Sequence, residues 1–365
     1  MNAFHFVLPA PSPAPIGGYK VVYEYANALT RAGVAAVVWH APVFNALSGT
    51  GLSVRQAAVS ALGVVRGRVR RHPSDPVPWF SIDDRVSVRV SAGFPRPSLD
   101  PSDVVVATAV ETTRFAGALA RKAGATSLAL IQHYETWAFP AEQIRRSWSA
   151  VDERVVIAPW LEELCTEAGL SSVLLPNALD TESFPAGPAL TDRAPMVLSL
   201  LSPHEYKRPD VVAAALNSIA IRRPEARVVA FGTQESPPAE LVAAVQYVSD
   251  PSAEVLRDLY RSATVYLCGS DAEGWHLPPA EATLSGAAVV STDIGGVRAS
   301  MGEDALYAPA GDAERLVDLA LEVLRDPAPA QHRVDAAGTR LRSVTYESNV
   351  RRLLQVADGA RGSAS

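Results

Sequence analysis

The sequence predicts an α/β protein made of two doubly wound, Rossmann-like domains. Three observations predict it. At 365 residues the chain exceeds one domain of ordinary size, ~150 residues. Short apolar runs alternate with amphipathic stretches almost throughout, as strand–helix–strand units on parallel sheets require. Residues 184–195 carry Pro185, Gly187, Pro188 and Pro195 and few bulky apolar side chains, so they read as a linker, and the alternation restarts after them. The expected domains are residues 1–185 and 195–340.

Taken in order, residues 4–8 read as a buried strand, and a loop rich in Pro, Ser and Ala runs to Gly17-Gly18. Residues 19–32 read as a helix with Val22, Tyr25, Ala26 and Leu29 on one face and Gly33 as its stop. Further strands follow at 35–39, Val104–Ala107, 127–132, 155–157 and 173–175. Helices at 112–123 and 160–168 lie between them, stopped by Gly124 and Gly169. Beyond the linker, strands at 196–201, 227–231, 264–267 and 287–291 alternate with helices at Pro209–Arg222, 252–262, 278–285 and Ala313–Arg325. Pro327 and Pro329 read as a break, and a last helix starts at Tyr346. Open parallel sheets bind ligands beyond the carboxyl ends of their strands, which makes the residues just after strands the informative ones. With two such domains, the cleft between them is the expected place for chemistry.

Composition narrows the function. Hydrophobic residues make up 48% and charged residues 20%, ordinary for a globular protein, and the net charge of −6 speaks against a nucleic-acid partner. Of the 33 basic residues only Lys20, Lys122 and Lys207 are lysines, so arginine clusters reflect a general bias of the chain. Cys165 and Cys268 are too few for a disulfide framework or a multi-thiolate site, and they fit a reducing cytoplasm. The first residues lack the basic start and apolar core of a signal peptide, and no run approaches the ~18 apolar residues of a membrane span. A cytoplasmic protein is expected. No zinc-ligand spacing occurs among the seven histidines, and Asp271-Ala272-Glu273 is the nearest approach to two acidic residues spaced by one, so no metal is expected.

The densest chemical constellation runs from Cys268 through Ser270, Asp271, Glu273, Gly274, Trp275, His276 and Leu277 to Pro278, Pro279 and Glu281, between a strand and a helix. Proline suits the first helical turn, so Gly274, Trp275, His276 and Leu277 form a tight approach whose N–H groups, with the helix dipole, suit an anion. Glu273 and Glu281 beside such a site need hydrogen-bond donors, and sugar hydroxyls supply them. On their own the two glutamates read equally as complements to the helix N-terminus.

This segment resembles the donor-site motif of retaining glycosyltransferases of family 4, which have the GT-B fold. The resemblance extends over most of the chain: Gly17-Gly18 leading into Lys20-Val21-Val22-Tyr23-Glu24-Tyr25-Ala26-Asn27, then Gln132-His133-Tyr134-Glu135, Pro176-Asn177-Ala178, His204-Glu205-Tyr206-Lys207-Arg208-Pro209 and Gly295-Gly296-Val297. The helix from Tyr346, expected over 346–358, is similar to the one that crosses back onto the N-terminal domain in that fold. Some of the most similar patterns belong to bacterial, rhamnosyltransferase-like members.

The resemblance implies an acceptor-binding first domain, a donor-binding second domain, and a retaining, metal-independent hexosyl- or deoxyhexosyltransferase that needs no cofactor. It implies a nucleotide-sugar donor and a glycan, lipid-linked or small-molecule acceptor. Catalytic roles fall to His133, Glu273 and Lys207. Gly17, Gly18, Arg208, Gly274, Trp275, His276, Leu277 and Glu281 would hold the donor, with Glu281 on the ribose hydroxyls and Lys207 on the diphosphate. Lys20, Tyr134 and Trp137 would meet the acceptor, with Phe139 nearby. Family members usually carry an arginine in the loop after the first strand of the second domain, and Ser199-Leu200-Leu201-Ser202 has none. Arg208 or His204 would replace it, or Lys207 and backbone amides would hold the diphosphate alone. Two other readings stay open: a GT-B nucleotide-sugar epimerase and a catalytically idle GT-B partner subunit. Residues 45–90 carry Arg55, Arg66, Arg68, Arg70, Arg71 and His72 beside Ala57, Ala58, Ala61, Leu62 and Val65. They read either as a solvated arginine-rich loop or as a peripheral contact with the inner face of the membrane.

Overall fold

The apolar runs of the first half become strands of one parallel sheet. In the computed structural model, which describes residues 3–46 and 77–364, β1 (Ala3–Leu8) pairs with β2 (Ala35–His40) on one side. On its other side β1 pairs with β4 (Val104–Ala107). With β3 (Ser87–Val90), β5 (Thr126–Ile131), β6 (Glu153–Val156) and β7 (Val173–Leu174), the order among the described residues is β3-β2-β1-β4-β5-β6-β7. β4 and β5 are buried along their whole length, as strands covered on both faces must be.

Helices α1 (Gly17–Arg31), α2 (Val110–Ala123), α3 (Ala141–Trp148) and α4 (Pro159–Glu167) are the connections of this sheet. Left-handed Gly124 and Gly169 follow α2 and α4, a conformation that glycine adopts without penalty. The expected face of α1 (Val22, Tyr25, Ala26, Leu29) is buried. One correction applies at its start: Gly17 and Gly18 are the first residues of the helix, not the end of a loop, with the Lys20 N–H bonded to the Ile16 carbonyl at 2.9 Å.

The second sheet restarts at β8 (Met196–Leu200) and runs β10-β9-β8-β11-β12-β13, all parallel. Its members are β9 (Arg227–Gly232), β10 (Val245–Ser249), β11 (Val265–Cys268), β12 (Ala288–Thr292) and β13 (Leu306–Ala308). Helices α5 (Pro209–Arg222), α6 (Ala253–Ser262), α7 (Leu277–Leu284), α8 (Gly295–Met301), α9 (Ala313–Arg325) and α10 (Ala328–Ser343) accompany it. The core of this sheet joins Val197, Val228, Val265 and Val290 to Leu216, Ile219, Leu316 and Ala320.

The chain divides into two units, Met1–Leu175 with Tyr346–Ser365, and Pro176–Thr345. The last helix, α11 (Tyr346–Ala364), longer than the expected 346–358, therefore belongs to the first unit. Asn349 Nδ2 donates to the Tyr25 hydroxyl at 3.2 Å, the Tyr25 and Tyr346 rings meet edge to face, and Leu353 reaches Phe6 and Leu128.

One further expectation is corrected. The boundary at 185 moves to Leu175/Pro176, because residues 184–195 are not a free linker but pack on the second unit. Leu190 is buried in that unit's core, the Gly187 N–H donates to the Ser285 carbonyl at 2.9 Å, and Arg193 donates to the carbonyls of Ala263 and Ser285. The break expected at Pro327 and Pro329 separates α9, which ends at Arg325, from α10, a helix the sequence reading did not foresee; Pro327 caps it and Pro329 sits in its first turn, where a missing N–H costs nothing. The short edge strands β3, β10 and β13 carry too little apolar signal to be read from sequence. The arginine-rich residues Arg55, Arg66, Arg68, Arg70, Arg71 and His72 lie outside the described residues.

If residues 184–195 are integral to the second unit, Leu190→Ala should lower its stability by about 2–5 kcal/mol, the cost of a buried leucine cavity. Urea unfolding followed on that unit measures it, and a loss under about 0.5 kcal/mol, the range of a surface substitution, would return the segment to the role of a linker.

Candidate functional site

The strand order of the second sheet reverses between β8 and β11, and the loops leaving these neighbouring strands form the place where an α/β sheet binds ligands. The loop after β8 turns through Glu205–Lys207 and the one after β11 carries residues 269–276 into α7. They are tied to each other by the Asp271 N–H, which donates to the Tyr206 carbonyl at 2.8 Å.

Three side chains converge on one carboxylate oxygen there. Lys207 Nζ lies 2.7 Å from Glu273 Oε1, Ser270 Oγ donates to the same atom at 3.0 Å, and His276 Nε2 stands 3.4 Å from it, outside hydrogen-bond geometry. Glu273 is 8% exposed. Among the described residues no hydrogen bond or ion pair engages its other oxygen, Oε2. Burial works against charge on this carboxylate, but His276, Lys207 and Ser270 outweigh it and hold the carboxyl below its usual range. Burial likewise opposes charge on Lys207, and the Glu273 carboxylate reverses the balance, so the ammonium is held above its usual range. His276 is raised in the same way, burial being outweighed by Glu273 and Cys268, whose Sγ is 3.4 Å from His276 Nδ1. The pair Lys207–Glu273 is thus a charged, partly buried couple that keeps one carboxylate oxygen available to a hydroxyl donor.

The backbone is strained at both flanks. The described non-glycine residues with positive φ are Arg208 at 49°, Asp250 at 41° and His276 at 56°, and two of these sit at this site as N-caps of α5 and α7. Such residues cost about 1–3 kcal/mol each and persist where the surroundings over-determine them. A close approach adds to this: a Cβ on Gly296, in the first turn of α8, would stand 2.2 Å from the Glu273 carbonyl oxygen, so no other residue fits without displacing Glu273.

The remaining sequence-predicted residues of this unit fall as follows. Gly274, Trp275 and His276 are buried and Leu277 half-buried, and Pro278 and Pro279 leave the N–H donors of this helix end to those residues. The Trp275 indole N–H is buried without a hydrogen-bond partner among the described residues. Glu281 lies within α7, buried, where the Tyr260 hydroxyl donates to its Oε2 at 3.2 Å. Arg208 is spread between Asp210 at 2.8 Å and 2.9 Å and Asp271 at 3.0 Å, so two carboxylates already balance its charge. His204 stacks on Tyr206.

In the first unit, β1 and β4 mark the equivalent reversal, and the residues after β5 lead from it. The His133 ring meets Trp137 edge to face at 4.4 Å and Trp160 at 5.9 Å, and Trp137 is 50% exposed. Tyr134 packs on Trp148 at 5.7 Å, and Phe139 is buried. Lys20 is half-buried in the first turns of α1, and Gln132 Nε2 donates to the Gly18 carbonyl at 3.1 Å, joining the end of β5 to that helix start. Glu135 accepts from the Val110 N–H at 3.2 Å; burial and the neighbouring Glu111 carboxylate push it up to about 8. His133 and Glu135 line one small recess with Ala109 and Thr113.

With this geometry in place, the likeness to known proteins can be set beside it. Residues 194–326 match the family model described as glycosyl transferases group 1. That stretch holds Lys207, Glu273, His276 and Glu281. A sucrose-phosphate synthase from Thermosynechococcus elongatus matches the whole of both chains at a TM-score of 0.72 and 15% identity. The Anabaena protein HepE, solved with UDP and glucose, matches 98% of this chain and 100% of its own at 0.69 and 13%. A pneumococcal O-GlcNAc transferase, solved with UDP and GlcNAc, matches 98% and 99% at 0.67 and 11%. The fold is GT-B. No curated protein matches the chain in sequence.

Sequence reasoning placed Cys268, Ser270, Gln132, Glu135 and Gly296 within its motifs but gave them no role, and it missed Glu111. The available signal was position: Ser270 and Cys268 flank the end of β11, and Gln132 is a polar residue directly after an apolar strand. No helix among the described residues is long and apolar enough to cross a membrane.

Glu135 gives a pH prediction for the first unit. Its pKa in the folded chain lies above the unfolded value of ~4.3, so its contribution to stability is complete below that value and is lost as pH rises towards about 8. Glu135→Gln should remove this loss, making the variant more stable than the parent at pH 8.5 but not at pH 4. Denaturant unfolding at the two pH values checks it.

Proposed function

We propose that this chain is a retaining, metal-independent glycosyltransferase that moves a sugar from a nucleotide-sugar donor to an acceptor hydroxyl. The observation that carries the reading is the partly buried Lys207–Glu273 couple at the strand reversal of the second unit, inside the stretch that matches the group 1 glycosyltransferase model. Several similar structures are described as complexes with UDP and a sugar, which supports a nucleoside diphosphate sugar as the donor.

In this reading Lys207 faces the diphosphate and neutralises the charge that grows as the sugar C1–O bond breaks. Glu273, pinned through Oε1, accepts a hydroxyl of the transferred sugar on Oε2. Glu281 takes the ribose hydroxyls, which requires them to compete with the Tyr260 hydroxyl. Arg208 is already shared by two carboxylates, so the diphosphate rests on Lys207 and the backbone amides of the loop before α7. The leaving phosphate oxygen accepts the proton of the acceptor hydroxyl, and the new C1–O bond forms on the face the diphosphate leaves. The protein's share is positioning and fixed charge. His133 is assigned to the transferred sugar, while Gly17, Gly18, Lys20, Tyr134 and Trp137 are assigned to donor or acceptor contacts. The acceptor is a glycan, a lipid-linked or a small-molecule hydroxyl.

Calorimetry in EDTA against UDP, GDP, ADP and dTDP and their sugars tests the donor half: one nucleotide should bind tightly, and binding by none would overturn the reading. With the donor known, Lys207→Ala should lower turnover by about 100-fold or more. Glu281→Ala should weaken nucleotide binding by about tenfold or more, as loss of a charged hydrogen-bond acceptor does, and unchanged affinity would remove the ribose assignment. His133→Ala should slow transfer at nearly unchanged donor affinity.

A further inference from the structure

Three facts single out Cys268. It is the last residue of β11, buried, and paired with Ser291 of β12. Its Sγ lies 3.4 Å from His276 Nδ1, and the opposite ring nitrogen, Nε2, lies 3.4 Å from Glu273 Oε1. His276 itself occupies a left-handed backbone position, φ 56°, where glycine would be unstrained and a side chain needs a reason to be kept.

We propose that Cys268 is a positioning residue of this site: through Sγ it fixes the His276 ring so that an Nε2–H faces Glu273 Oε1. The proposal takes the site to be the donor site of the preceding reading, but its geometry stands without that. Both protonation states of the Cys268–His276 pair give the same result. A thiol donating to Nδ1 leaves the proton of the neutral ring on Nε2, and a thiolate accepting from Nδ1 leaves a ring protonated on both nitrogens. In either state the imidazole presents a donor, not a lone pair, to a buried carboxylate. The charged and titratable groups around the pair are Glu273 and Lys207 from the two loops and Tyr266 from β11, and none of them can orient the ring through Nδ1. With Oε1 bonded by Lys207 and Ser270 and faced by the His276 ring at 3.4 Å, Oε2 is aimed by the loops instead of by rotation of the glutamate. Removal of Cys268 lets the ring take the Nδ1–H tautomer, whose bare Nε2 repels the carboxylate.

The test uses the full-length chain labelled with 15N-histidine, with the His276 signals assigned by His276→Gln, and long-range 1H–15N spectra between pH 6 and 9. The parent and Cys268→Ser should show Nε2 protonated throughout, whereas Cys268→Ala should show a mixture of tautomers. A parent ring carrying its proton on Nδ1 alone, or identical spectra for Cys268→Ala and the parent, would overturn the proposal. Should Cys268→Ala fail to fold, the parent tautomer and its retention in Cys268→Ser decide. Calorimetry with UDP, GDP, ADP and dTDP on the same variants forms the second arm. The preferred nucleotide should bind about tenfold more weakly to Cys268→Ala, the scale on which groups that orient a ligand-binding side chain act, and should recover to within about threefold in Cys268→Ser. No nucleotide binding to the parent would remove the donor-site reading and leave the spectra to judge Cys268 alone.

Discussion

A carboxylate that is buried and charged has to be surrounded by donors, and Glu273 imposes that demand on the whole second unit. Desolvation alone would protonate it. The remedy draws one group from each of several consecutive pieces of chain: Lys207 from the loop after β8, Ser270 from the loop after β11 and His276 from the N-cap of α7. The first turn of α8 yields space instead, with Gly296 pressed against the Glu273 backbone. The left-handed residues at Arg208 and His276 are the local cost of bringing two helix starts to one point. Parallel strands make this convergence possible, since they deliver their carboxyl ends to the same edge of the sheet.

The first unit solves the same electrostatic problem in the other direction. Glu135 has one backbone donor and a neighbouring carboxylate, Glu111, and no lysine or arginine bonds it among the described hydrogen bonds. Its carboxyl is driven towards the neutral form, where it can donate as well as accept. The two units therefore present different chemistry at their strand ends: fixed opposite charges in one, a neutral acid beside an imidazole and two indoles in the other.

Legibility followed the strength of the apolar pattern. The central strands were readable because β1, β4, β5, β8, β11 and β12 are almost wholly buried and rich in apolar residues, whereas helices α3, α8 and α10 were not read. The edge strands β3, β10 and β13 were not, because an edge needs only a half-buried face. Prolines misled once: at 185, 188 and 195 they frame a segment anchored by Leu190 and Arg193, whereas at 327 and 329 they mark the boundary between α9 and α10. Within the site, Lys207 and Glu273 were legible from their spacing to strands, whereas Arg208 looked available and is bound to Asp210 and Asp271.

By itself the sequence determined the alternation of strands and helices, the restart of that alternation in the second half, and the cluster of polar residues between β11 and α7. These are local facts, set by periodicity, helix stops and the side chains that follow a strand. Only the tertiary structure decided which oxygen of Glu273 is engaged, which arginine is already spoken for, and that Cys268 stands behind His276. Those depend on residues 66, 63 and 8 positions apart being brought within hydrogen-bond reach. The strand order of the second sheet and the loops that leave it set such distances, and no stretch of chain encodes them alone.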